Sequence, residues 1–260
     1  MVDVLRKVFR ASYYALYGKK GKGIKINNED YNVSAYVSRG ISKIVDETPL
    51  KLLINMSRNA RIVFDVGANV GVIAIMVAKR MQPGTIIYSF EPAPLSYKYL
   101  ADTARVQDGN AKIIPQNYAI SSENGKLYFT NDGDSCTNHI AAQNDPNVIA
   151  IEALTLDSFC QKNKVVPEVI KVDIEGAEYW ALEGMQQTLK NNNCSVLMEI
   201  HDAFLRAHNI DGKMFGRVVD AIGYKVFNTA GQQIGNDEIM QHTCVIIAKQ
   251  KPAEEVFKIV

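Results

Sequence analysis

Apolar residues recur along this chain with two alternating periods. From Arg61 onward, short β-branched and aromatic runs alternate with longer stretches at helical spacing. Arg61–Val66 reads as a strand, Val70–Met81 as a helix stopped by Pro83 and Gly84, and Thr85–Phe90 as a strand. Pro94–Val106 follows as a helix and Lys112–Asn117 as a strand. This βαβαβ rhythm predicts a parallel sheet with helices on its faces. Lys126–Thr130 and Val148–Leu156 read as extended segments around a polar, turn-rich loop, Asn131–Asn147. Loops of that length in a compact domain tend to carry function. The α/β pattern resumes with a strand at Val169–Val172, a helix at Gly176–Leu189, a strand at Ser195–Ile200 and a helix at Met214–Ile222. Strands at Tyr224–Phe227 and Thr243–Ala248, joined by a loop, suit an antiparallel finish to the sheet.

Before Arg61 the pattern is helical. Val4, Leu5, Val8, Phe9, Tyr13 and Leu16 form one stripe of an amphipathic helix, with Arg6, Lys7 and Arg10 on its polar side. A second helix is expected near Pro49–Arg58. The organisation expected is a helical cap or lid over 1–60 and one α/β domain over 61–260, in place of two equal domains for a chain of 260 residues. The N-terminal helix can serve as a lid, an interface or a membrane contact.

Composition narrows the function classes. Hydrophobic residues make up 47% and charged residues 22%, enough for a core. Lys+Arg 29 against Asp+Glu 28 gives a net charge of +1, which disfavours nucleic acid as partner. Cys136, Cys160, Cys194 and Cys244 form no CxxC pair and read as ordinary thiols of a reducing cytoplasm. No apolar run approaches the length of a membrane span.

Three junctions carry candidate chemistry. Phe64-Asp65-Val66-Gly67-Ala68-Asn69-Val70-Gly71 follows a strand and opens a helix. Gly67 and Gly71 permit a tight turn and close backbone approach to a ligand. The spacing is not that of a dinucleotide fingerprint, and Asp65 ahead of the first glycine suits a cationic ligand better than a pyrophosphate. Glu91 ends the next strand, where a carboxylate can accept both hydroxyls of a ribose. A ribose acceptor beside a glycine loop without phosphate chemistry suggests S-adenosylmethionine. The third junction, Val169-Ile170-Lys171-Val172-Asp173-Ile174-Glu175-Gly176-Ala177-Glu178, concentrates acids at a strand-to-helix turn. Glu175 and Glu178 also suit simple helix-start roles, while Asp173 sits at the strand tip where open α/β sheets bind ligands.

The set FDVGANVG, FEP, NYAIS and IKVDIEGAE resembles the FkbM family of S-adenosylmethionine-dependent methyltransferases, over roughly Phe64–His201. That resemblance implies a Rossmann-like class I fold: a seven-stranded, mostly parallel sheet with an antiparallel last strand. It implies O-methylation, often of sugars or polyketide-type hydroxyls. It places the cofactor loop on Asp65, Gly67, Asn69 and Gly71, the ribose carboxylate on Glu91, and the adenine side on Asn117, Tyr118 and Ala119.

Catalytic residues are expected at Asp173, Glu175 and His201. Glu199 and His201 share a strand face. His201 can act as a base on a substrate hydroxyl, or with Asp173 hold a divalent metal. The partner expected is a small hydroxylated acceptor such as a sugar. The alternatives are a non-catalytic nucleoside-binding or interaction module on the same fold, or a methyltransferase for a protein or polyketide-type acceptor.

Overall fold

The computed structural model describes residues 20–38, 45–130 and 148–258. The amphipathic helix expected at 2–17 and the polar loop at 131–147 lie outside them. The described residues begin with a hairpin, β1 (Lys22–Ile26) and β2 (Glu29–Val33), then α1 (Glu47–Ser57). Next come β3 (Ile62–Val66), α2 (Val72–Ala78), β4 (Ile86–Phe90), α3 (Pro94–Val106), β5 (Lys112–Gln116) and β6 (Ala119–Ile120). β7 (Gly125–Thr130), β8 (Val148–Leu154), α4 (Leu156–Asn163) and β9 (Val169–Val172) follow. The remainder is α5 (Glu178–Glu183), α6 (Gln186–Asn191), β10 (Ser195–Glu199), α7 (Asp202–Ala207), α8 (Gly212–Ile222), β11 (Lys225–Asn228), β12 (Gln233–Ile234) and β13 (Cys244–Ala248).

The main sheet runs β12-β11-β13-β10-β9-β3-β4-β5. β10, β9, β3, β4 and β5 are parallel, and β13 is antiparallel to both β10 and β11. Chain order reverses between β3 and β9, so a cleft opens between their carboxyl ends, where α/β sheets bind ligands. The expected seven strands are present. The two-residue β12 adds an eighth at the edge, too short to leave a periodic signal.

Alternation along each strand sends residues to two cores. Phe64, Val66, Ile170, Val172, Val196 and Met198 pack beneath α4, α5 and α8. Val63, Ile87, Val169, Leu197 and Ile246 pack beneath α1, α2 and the hairpin. Three expectations are corrected. The segment preceding Arg61 is not purely helical: Asn27 and Asn28 both take positive φ, 45° and 64°, and turn a two-residue hairpin. The helix expected over 176–189 is two helices broken at Gly184, where a Cβ would stand 2.0 Å from the Ser121 carbonyl oxygen. The link before β13 holds β12 and a 3₁₀ turn, Asn236–Gln241, beyond the loop expected. Among the described residues no helix is long and apolar enough to cross a membrane, and Cys160, Cys194 and Cys244 are buried free thiols.

Candidate active site

The turn after β3 is held by its own backbone. Gly67 (φ +81°) and Ala68 donate to the Phe90 carbonyl at 3.1 and 3.0 Å. A Cβ on Gly67 would meet the Asp173 carbonyl oxygen at 1.7 Å, so the close packing of this turn on the end of β9 requires glycine. Gly71, at φ +90°, is the N-cap of α2. That is why the helix starts at Val72, two residues later than its apolar pattern suggests. Asn69 (φ +48°) donates its N–H to Glu91 Oε2 at 2.9 Å, and Ala93 donates to Oε1 at 2.8 Å. Burial pushes the Glu91 carboxyl up to about 7 against the pull of these two N–H groups.

Gly67, Asn69, Glu91, Tyr118, Ala119, Asp173 and Glu175 line one cleft with about 830 Å³ of open space, its mouth included. Its apolar walls are Phe90, Ile120, Leu127 and Phe129. The last three come from the small sheet β6-β8-β7, and the sequence reading did not single them out. The alternation of Leu127 and Phe129 along β7 was their available signal.

Three expected cofactor residues do not line this cleft. Asn117 turns its amide to the Glu91 and Pro92 carbonyls at 2.8 and 3.0 Å, bracing the Glu91 turn. Gly71 serves the helix start. Asp65 is 2% exposed and alternates onto the face of Val63, beneath α1 and α2. There it meets its register partner on β9, Lys171, at 3.3 Å.

Lys171, which the sequence did not single out, joins these residues. Its Nζ lies 3.2 Å from Asp173 Oδ2 and donates to the Gly67 carbonyl at 3.1 Å. Burial works to lower its pKa, but Asp173 and Asp65 overcome that and hold it above the ordinary lysine value. A lysine in a run of apolar strand residues was the signal, because an unpaired buried ammonium is too costly to persist.

His201, just past β10, approaches the third acidic junction. Its Nδ1 lies 2.7 Å from Glu178 Oε1; its Nε2 lies 3.5 Å from Glu175 and 3.8 Å from Asp173. Glu178 is fully buried and also accepts from the Gly176 N–H at 3.0 Å, so its place goes beyond a helix start. Glu175 adopts φ +53°, a strained conformation for a side-chain-bearing residue. The Glu178 hydrogen bond, against opposing burial and with help from the surrounding carboxylates, pushes His201 up to about 9. Asp173, Glu199 and His201 place ligand atoms within 4.8 Å of one another. The expected Asp173–His201 pair is thus close, and Glu199 joins it.

The sequence matches a known family. Residues 65–226, more than half of the chain, match the family described as Methyltransferase FkbM domain. Hexuronic acid methyltransferase AglP of Haloferax volcanii is 27% identical over 157 residues, covering 60% of this chain and 62% of that protein. Among solved structures, a methyltransferase FkbM from Methylobacillus flagellatus is 16% identical at a TM-score of 0.43, covering 72% of this chain and 43% of that one. The Bacillus cereus O-methyltransferase solved with SAH is 14% identical at a TM-score of 0.44, covering 78% and 79%.

Proposed function

The chain belongs to the FkbM methyltransferase family, and from that premise we propose that it transfers the methyl group of S-adenosylmethionine to a sugar hydroxyl. The observation that carries this reading is the meeting of Glu91 with the Gly67–Asn69 turn in one cleft at the switch point, facing Asp173. Glu91 accepts the ribose hydroxyls and the β6 and β7 side chains cover the adenine. Asp173 and Glu175 supply negative charge to the sulfonium and ammonium. Asp65 acts one step removed: it helps hold Lys171, which fixes the Gly67 carbonyl and the Asp173 carboxylate. The name of AglP supports a sugar acceptor. Family membership favours an enzyme over a binding module.

Methyl transfer to oxygen is an in-line displacement in which the sulfonium is already a good leaving group. The protein contributes alignment and a proton acceptor. With its pKa pushed up to about 9 by Glu178, His201 favours the imidazolium at neutral pH, and in this reading it positions Asp173 and Glu175. These carboxylates take the hydroxyl proton. A second reading rests on the Asp173–Glu199–His201 set: two carboxylate oxygens and the His201 nitrogen, once a divalent ion displaced its proton, would suit an ion that acidifies the hydroxyl. Transfer of labelled methyl groups to a panel of glycans and nucleotide sugars, with and without EDTA, tests both. No labelled product contradicts the first, and EDTA-resistant turnover contradicts the second.

A further inference from the structure

The cofactor assignment leaves a second cleft unused. It lies on the side of the sheet that α1 covers, at the ends of β9 and β10, with about 680 Å³ of open space. Asp173 lines both clefts. A group seated in the second one therefore reaches the residue that faces the transferable methyl in the first.

We propose that this second cleft receives the acceptor and selects an uncharged, hydroxyl-bearing ring over an anionic one. The proposal rests on the methyltransferase reading above and adds the acceptor's site and charge. The walls are apolar, built from Leu50, Leu53, Ile73 and Leu197, and the polar groups are the carboxylates of Asp46, Asp173 and Glu199. That mixture suits a pyranose, whose C–H faces pack on aliphatic side chains while its hydroxyls donate to carboxylates. It does not suit a uronate. The one cation among the described lining residues is Lys171, and its ammonium is already engaged by Asp65, Asp173 and the Gly67 carbonyl. Among the described residues, a ligand carboxylate would meet the carboxylates of Asp46, Asp173 and Glu199, while the cations beside them, Lys171 and His201, are already engaged by Asp65, Asp173 and Glu178, an arrangement by which sites reject a wrong partner.

Asp46 and Glu199 are the specificity-determining residues, and both are accessible to substitution. Asp46 accepts the Thr48 N–H at 3.0 Å as the N-cap of α1. Asp46→Asn keeps a good cap and removes only the charge. The test is calorimetric titration of methyl glucoside, galactoside and mannoside, and of the matching hexuronates, into protein saturated with S-adenosylhomocysteine. At least one neutral glycoside is expected to bind about tenfold or more tighter than its uronate, a gap of roughly 1.4 kcal/mol. Asp46→Asn and Glu199→Gln should each narrow that gap. Ile73→Trp, which fills the cleft, should abolish glycoside binding while cofactor-product binding persists. Equal or tighter uronate binding, a gap unmoved by both charge variants, or no glycoside binding at all overturns the proposal. Failure of wild-type protein to bind S-adenosylhomocysteine overturns instead the reading on which it rests.

Discussion

The ammonium of Lys171 spans from β9 to the turn after β3, donating to the Gly67 carbonyl at 3.1 Å while paired with Asp65 and Asp173. One buried cation thus ties the first glycine of that turn to the acid at the tip of the neighbouring strand. Replacing it leaves Asp65, almost fully buried, without a counter-charge and Asp173 with only His201 at 3.8 Å. Lys171→Met is expected to cost about 3–5 kcal/mol of stability and to weaken cofactor binding. Chemical denaturation and calorimetry check this. Wild-type values for both would show that the bridge is dispensable.

Gly67 tests the close packing of that turn. A side chain there meets the Asp173 carbonyl oxygen and must also adopt a positive φ. Gly67→Ala is expected to lose at least about 1–3 kcal/mol from backbone strain, with the steric cost added, and to lower the melting temperature. An unshifted thermal melt would contradict the geometry.

Cofactor affinity should depend on pH through Glu91. Its folded pKa of about 7 lies above the ordinary glutamate value because of burial. The favourable contribution of the protonated group to stability is therefore complete below about 4.5 and fades as pH rises through 7. If Glu91 accepts the ribose hydroxyls as proposed, its ionised form does so, and S-adenosylhomocysteine should bind more tightly as pH rises from 6 to 8. Glu91→Gln should remove this step. A flat wild-type profile would contradict the assignment.

His201 carries the opposite charge logic. Its pKa of about 9 exceeds the ordinary histidine value, chiefly through Glu178. The stabilisation it provides is complete below about 6.5 and is lost as pH rises through 9. NMR titration of the His201 ring should show a midpoint near 9 in wild type and a lower one in Glu178→Gln. A wild-type midpoint near 6.5 would restore His201 as the base.

Much of the fold was readable from the chain because buried parallel strands leave continuous apolar runs. β3, β4, β9 and β10 announce themselves in this way, and the fully buried antiparallel β13 does the same. α4 was missed although Thr155 caps it by accepting from the Ser158 N–H at 3.0 Å; the extended reading of Val148–Leu156 ran over that signal. The β1–β2 hairpin was also missed, despite Asn27-Asn28 between alternating apolar positions. In the site, Glu91, Gly67, Asp173 and His201 were legible because strand ends fix where they fall. The roles of Asp65, Lys171 and Glu178 were not, since they depend on which face of a strand a side chain takes and on partners distant in sequence.

In the proposed function, the cleft between the ends of β3 and β9 holds S-adenosylmethionine through Glu91. Calorimetric titration of S-adenosylhomocysteine into wild-type and Glu91→Ala protein tests it most directly. The account predicts saturable wild-type binding that weakens by about a hundredfold or more in the variant, roughly 2.7 kcal/mol. Absent wild-type binding, or equal affinity in the two proteins, would contradict it.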